Sequence, residues 1–181
     1  MLTFRERMRL KNHRFLHNRT EHLMNDVLTT DWEYRVNLPL WNKEPKRHEL
    51  ERITQLFMVN LNRTLFTRKE LRSGLQVLCF PVLEKEYTNP HFHILLKVPK
   101  GTKIIKQPDK YYFVRSKVMK IITQLSLVKL RLVDPNGTKT FQKLYDSIGA
   151  VGYNLKEGIE RIDYTIIRFT TASSALLVSS I

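Results

Sequence analysis

His91 and His93 flank Phe92, a carboxylate lies a few residues upstream at Glu84 or Glu86, and Tyr153-Asn154-Leu155-Lys156 follows about sixty residues later. On a strand, alternate side chains share a face, so the two histidines present two imidazoles to one spot, where a divalent metal ion could sit. Two neutral imidazoles and one carboxylate form a mixed nitrogen and oxygen donor set that suits Mn²⁺ and, with retained waters, Mg²⁺. Three protein ligands leave positions open for substrate oxygens. The tyrosine offers a second kind of chemistry. Its hydroxyl, with a reference pKa of about 10, is a poor nucleophile at pH 7 until a cation or base assists it. Lys156, at i+3 on a helix, shares a face with Tyr153 at roughly 5–6 Å between Cβ atoms and could stabilise a phenolate or a phosphate.

The elements that must position these groups can be read from periodicity. Phe92, Ile94, Leu96 and Val98 alternate with the histidines and form an apolar face, as expected of a strand packed on a core. Thr88-Asn89-Pro90 is turn chemistry and Leu78 to Glu86 reads as a preceding strand, which makes a hairpin. A four-residue connection, Tyr87 to Pro90, pairs Glu86 with His91 and Glu84 with His93, and both carboxylates point to the side of the histidines. Residues 33–41 read as the first strand, with Pro39 ending it early or placing it at an edge. Pro45 opens a helix carrying Leu50, Ile53, Phe57, Leu61 and Leu65, which Ser73-Gly74 breaks.

After the hairpin, Tyr111, Val114, Val118, Ile121 and Leu125 fall on one helical stripe beside a polar one of Lys117, Lys120 and Gln124. Leu130 to Val133 reads as a short strand closed by Asp134-Pro135-Asn136-Gly137. A helix from about Thr140 leads past Gly149 and Gly152 to Tyr153, and Arg161 to Phe169 is the last strand. The order is that of an α+β fold, a mostly antiparallel central sheet with flanking helices. Residues 1–30 form a basic, helical N-terminal extension, and residues 31–181 the main domain.

Composition points to a polyanion. The 181-residue chain carries a net charge of +14, with a pI near 10.0. Residues 97–143 hold twelve Lys or Arg against Asp109 and Asp134. Lys97, Lys100, Lys103, Lys106 and Lys110 follow the histidine strand directly and are expected to ring the mouth of the site, with Lys117 and Lys120 as further phosphate contacts; a solvated loop is the ordinary reading of such a run. Cys79 alone excludes an intramolecular disulfide, suggests a reducing compartment and reads as a packed core thiol. The first twenty residues lack a long apolar run and Ala175 to Val178 is too short to span a bilayer, so the expected location is cytoplasmic with no membrane partner. His13, His17, His22 and His48 read as surface histidines.

The pattern of Glu84, Pro90-His91-Phe92-His93-Ile94-Leu95-Leu96 and Tyr153-Asn154-Leu155-Lys156 resembles the HUH endonucleases, specifically the single-tyrosine rolling-circle replication initiators of plasmids and phages, over roughly residues 31–169. The resemblance implies an HUH nickase domain with a ferredoxin-like or RRM-like core, and favours Glu84 over Glu86 as third metal ligand. It implies that Tyr153 attacks single-stranded DNA at a replication origin, forms a 5′-phosphotyrosine and frees a 3′-hydroxyl for a polymerase. No Gly-x-x-x-x-Gly-Lys-[Ser/Thr] is present, so strand separation falls to a host helicase in a bacterial cytoplasm. Residues 35–40 match the family's first motif poorly, and Tyr145 is too distant to be a paired second nucleophile. An HUH transposase or relaxase shares this chemistry. A basic nucleic-acid-binding module without catalysis, its histidines structural, is the reading from another class.

Overall fold

The computed structural model describes residues 26–40, 47–84, 91–127 and 140–154, and the statements below concern those residues. The chain divides into two compact units, residues 1–31 and 32–181. In the first, the described part ends in a helical turn where the Thr30 hydroxyl donates to the Asp26 carbonyl at 2.6 Å.

The second unit is α+β. It runs β1 (Tyr34–Pro39), α1 (Arg47–Leu65), α2 (Arg68–Arg72), β2 (Leu78–Glu84), β3 (His91–Lys97), α3 (Thr102–Ile105), α4 (Lys110–Leu127), β4 (Phe141–Lys143) and α5 (Ser147–Asn154). The four strands lie in the order β2-β3-β1-β4 with every neighbouring pair antiparallel. With one long helix after β1 and another after β3, this order is compatible with a ferredoxin-like core. No helix among the described residues is long and apolar enough to cross a membrane.

Alternation divides the sheet into two chemically different faces. Tyr34, Val36 and Leu38, Cys79 and Leu83, Phe92, Ile94 and Leu96, and Phe141 form one core with Ile53, Phe57, Leu61 and Leu65 of α1 and Val114, Val118, Ile121 and Leu125 of α4. Complete burial of each such side chain stabilises by about 1.5–3 kcal/mol. The other face carries Arg35 and Asn37, Phe80, Val82 and Glu84, His91, His93 and Leu95, and Gln142; α5 lies against β3.

Several sequence expectations are corrected. The helix after β1 ends at Leu65 rather than running to Ser73, because Thr67 and Glu70 form a capping box that starts α2. The chain then turns at Gly74, whose φ of 85° only glycine adopts without strain. The short α3 occupies part of what reads as a solvated loop. β1 is an interior strand, not an edge. Pro39 is tolerated as its last residue, beyond the pairs that β4 makes with Tyr34, Arg35 and Val36. Thr140 begins no helix: Phe141 stacks on Tyr34 at 5.1 Å between centroids, and this anchors residues 141–143 as β4. The expected strands at residues 130–133 and 161–169 lie outside the described residues, as do His13, His17 and His22.

Candidate metal centre

β2 and β3 bring the acidic and imidazole groups together through register. Glu84 lies opposite His91, and Val82 opposite His93. This is two residues out from the pairing that a four-residue connection predicts; residues 85–90 lie outside the described residues. Glu86 lies outside the described residues.

The three donors converge. His91 Nε2 lies 2.8 Å from Glu84 Oε2 and 3.1 Å from His93 Nε2, and His93 Nε2 makes a still closer contact with Glu84 Oε2. Glu84 and His93 are buried, at 4% and 5% exposure. On the β1 side, His93 Nδ1 meets Asn37 Oδ1 at 2.6 Å. An amide oxygen only accepts, so the imidazole proton sits on Nδ1 and the Nε2 lone pair faces Glu84 and His91. Burial above all, then neighbouring His91, pushes the His93 pKa down to about 4 against the pull of Glu84, so the ring is neutral at physiological pH, the form that ligates.

A carboxylate oxygen and two ring nitrogens thus point at one spot, and with the His93 proton on Nδ1 an ionised Glu84 leaves only the proton of His91 to share. Lone pairs facing lone pairs in a dry setting are unfavourable unless a cation lies between them. Donors about 2.1 Å from a shared octahedral ion sit about 3.0 Å apart at adjacent positions, close to the 2.8 and 3.1 Å that separate His91 from Glu84 and His93, while the Glu84–His93 contact is closer than that spacing. The Glu84, His91 and His93 group, its ligand atoms all within 4.8 Å of one another, could therefore bind a metal ion.

Tyr153 lies beside His93 of this group. Asp146 caps the helix that carries it, its Oδ1 accepting the Gly149 N–H at 2.8 Å. A Cβ at position 149 would lie 2.2 Å from Asp146 Oδ2, the far end of an exposed side chain, so a larger residue there needs that carboxylate to shift. The Trp32 N–H donates to the Ser147 hydroxyl at 2.9 Å and ties the helix start to the approach to β1. At the far end, the Tyr153 ring meets His93 edge-on, with centroids 5.6 Å apart and planes at 85°, while 45% of the residue stays exposed. Lys156 lies outside the described residues. Tyr145, at 92% exposure, sits before the helix.

Two residues that the sequence reading did not single out complete the face. Asn37 orients His93. Arg35 places its guanidinium carbon 5.4 Å from the Tyr153 ring centroid and donates from Nη2 to Gln142 Oε1 at 2.6 Å. The available signal was alternation, for Arg35 and Asn37 are the polar positions between Tyr34, Val36 and Leu38.

The lysines do not ring this group. The histidines open β3 and Lys97 ends it, so about 20 Å of strand separates His91 from Lys97 and from the basic run that follows. Lys103 donates to the carbonyls of Thr64 and Phe66 at 3.2 and 3.0 Å, at the end of α1. Lys110 bridges Glu33 Oε1 at 2.6 Å and the Val98 carbonyl at 2.7 Å. Lys117 lies over the Phe113 ring, on the helix that packs against the opposite face of the sheet. Lys100, Lys106 and Lys120 are exposed. No family model, curated protein or solved structure matches the chain.

Proposed function

We propose that the chain is a metal-dependent, HUH-type single-stranded DNA nickase and strand transferase that starts rolling-circle replication of a plasmid or phage, with Tyr153 as nucleophile. The observation that carries the reading is the convergence of Glu84, His91 and His93 beside the ring of Tyr153. A structural histidine pair has no need of a half-exposed tyrosine beside it, or of lone pairs aimed at one another. The net charge of +14 supports a nucleic-acid substrate.

In this reading Glu84, His91 and His93 hold Mn²⁺ or Mg²⁺, which when bound supplies Lewis-acid charge to the scissile phosphate. The Tyr153 hydroxyl gives up its proton to solvent as its oxygen attacks phosphorus; a phenolic O–P bond forms, the P–O3′ bond breaks, and the departing oxygen takes a proton from solvent to become a 3′-hydroxyl. Asn37 keeps His93 in the ligating tautomer throughout. Lys156 assists the phenolate, and a host helicase and polymerase act before and after the cut. Of the basic residues, Lys100, Lys106 and Lys120 have exposed side chains to offer phosphates, with Lys97 and Lys117 half-buried, whereas Lys103 and Lys110 have their ammonium groups engaged inside the fold.

The test is incubation of the full chain with labelled single-stranded DNA and Mn²⁺, followed by denaturing electrophoresis. A DNA adduct that resists denaturation, needs the metal and is absent from Tyr153→Phe is the expected result. Adduct persisting in Tyr153→Phe removes the nucleophile assignment. Absence of adduct and of Mn²⁺ binding in the wild type leaves a binding module.

A further inference from the structure

We propose that Arg35 is a positioning residue that holds the Tyr153 ring beside the metal group, with Gln142 as its brace. The inference rests on the nickase reading for its consequence and on geometry for its substance. Arg35 and Asn37 are successive residues on the same face of β1; Asn37 pairs across the sheet with His93, and Arg35 lies between Leu95 and Gln142. One strand therefore carries both the residue that orients a metal ligand and the residue that meets the tyrosine.

The Tyr153 ring is touched on two sides. His93 meets it edge-on at 5.6 Å, and the Arg35 guanidinium lies over it at 5.4 Å. Tyr153 is the penultimate residue of an eight-residue helix and is almost half exposed, so without lateral contacts its ring would sample several rotamers. A cation over the ring face narrows that choice. The guanidinium is itself fixed, since Nη2 donates to Gln142 at 2.6 Å.

The arrangement is costly for packing alone. The Arg35 Nε is buried with no hydrogen-bond partner among the described residues, and leucine at this position would cover the tyrosine ring with no buried donor. A fixed positive charge over the ring has a use that leucine lacks: it holds the ring by its π-face and favours negative charge on the phenol oxygen during the proposed attack.

The experiment compares Arg35→Leu, Arg35→Lys and Gln142→Ala with wild type in the full chain. Each is measured for single-turnover adduct formation at saturating DNA, DNA affinity, Mn²⁺ affinity, melting temperature and the ¹H–¹³C signals of the Tyr153 ring. Arg35→Leu should slow adduct formation about 10- to 100-fold while DNA and Mn²⁺ affinities stay within about 3-fold. Its ring signals should lose the shifts that His93 and the guanidinium impose. Arg35→Lys should recover part of the rate and Gln142→Ala lose about 3- to 10-fold, as the brace is weakened and the cation kept. Wild-type rate in Arg35→Leu overturns the proposal, as does unmoved ring spectra or a rate loss that only tracks lower melting temperature or Mn²⁺ affinity. If the wild type forms no adduct the nickase reading falls, and the ring signals alone still decide whether Arg35 holds Tyr153.

Discussion

Two glutamates of this fold have opposite surroundings. Glu70 is a finished hydrogen-bond acceptor: Oε2 receives the Thr67 N–H and hydroxyl, both at 2.7 Å, and Oε1 receives the Thr102 N–H at 2.6 Å and hydroxyl at 2.8 Å. Those donors, the two backbone N–H groups first, bring its pKa down to about 2 and tie the start of α2 to the start of α3. Glu84, by contrast, is buried against the Nε2 atoms of two histidines, one of which, His93, donates its ring proton from Nδ1 to Asn37. One carboxylate is matched by protons and holds the fold together. The other faces ring nitrogens and belongs to a group that could bind a metal ion. The same residue type is therefore a satisfied cap in one place and a candidate metal ligand in the other, and the groups around it decide which.

The largest effect expected from this contrast is a crossover between two isosteric variants. Glu84→Gln should weaken Mn²⁺ binding by about 100-fold or more, since a charged ligand is lost, while the metal-free melting temperature holds or rises because an amide N–H can now donate to a histidine nitrogen. Glu70→Gln should lower the melting temperature and leave Mn²⁺ affinity as it is. Calorimetric titration and thermal unfolding of both variants are sufficient. If Glu84→Gln proves the less stable of the two and binds Mn²⁺ normally, the division of roles is wrong.

The same contrast predicts two pH windows. The folded value of about 4 for His93 lies below its ordinary 6.5, so as pH falls the unfolded chain takes up the proton first. Stability is full above about 6.5 and declines between there and about 4, by about 3 kcal/mol at most for a shift of this size. Glu70, lowered from 4.5 to about 2, contributes stability that is present above 4.5 and lost as pH falls toward 2. Denaturant unfolding in EDTA across this range should show both declines, with His93→Gln removing only the upper one. A flat profile between pH 6.5 and 4 would contradict the burial of a neutral His93.

Why the sequence pointed to one glutamate and passed over the other has a physical answer. Alternation along β3 placed His91 and His93 on one face and Phe92, Ile94 and Leu96 on the other, and proximity in the hairpin brought Glu84 within reach; both are local and survive without knowledge of the fold. Thr67-Arg68-Lys69-Glu70 is a capping-box signature and could have been read, but a continuous apolar stripe through α1 masked it. Glu70's second partner, Thr102, and the partnership of Asn37 with His93 span 32 and 56 residues. They depend on strand order, which periodicity does not encode. Charge runs misled for a related reason. A lysine's place in sequence says nothing of whether its ammonium reaches water or a buried carbonyl.

A smaller effect should come from Asn37→Ala. The side chain touches no metal, but without its oxygen the His93 ring can rotate or move its proton to Nε2, and loss of such an orienting partner costs about 10-fold in metal affinity. Asn37→Asp should retain affinity, as a carboxylate accepts the same N–H. Wild-type Mn²⁺ binding in Asn37→Ala would mean that packing alone holds the ring.

The smallest effects should separate two lysines three residues apart. Lys103 Nζ lies 3.2 and 3.0 Å from the carbonyls of Thr64 and Phe66, where a cation complements the C-terminal end of α1, so Lys103→Gln should cost about 1–2 kcal/mol in stability with little effect on DNA. Lys106 is exposed, and Lys106→Gln should leave the melting temperature alone. If it contacts a phosphate, its loss flattens the dependence of log affinity on log salt by about 0.7 and weakens binding to single strands a few-fold, without changing the adduct rate at saturating DNA. The strand that separates the basic run from His91 is the reason to expect the rate to hold: in the proposed reaction a lysine there can retain DNA but lies too far from Tyr153 to reach the scissile phosphate. A slower rate at saturation in Lys106→Gln would place the basic run at the metal group after all, and an unchanged salt slope would make Lys106 part of a solvated face.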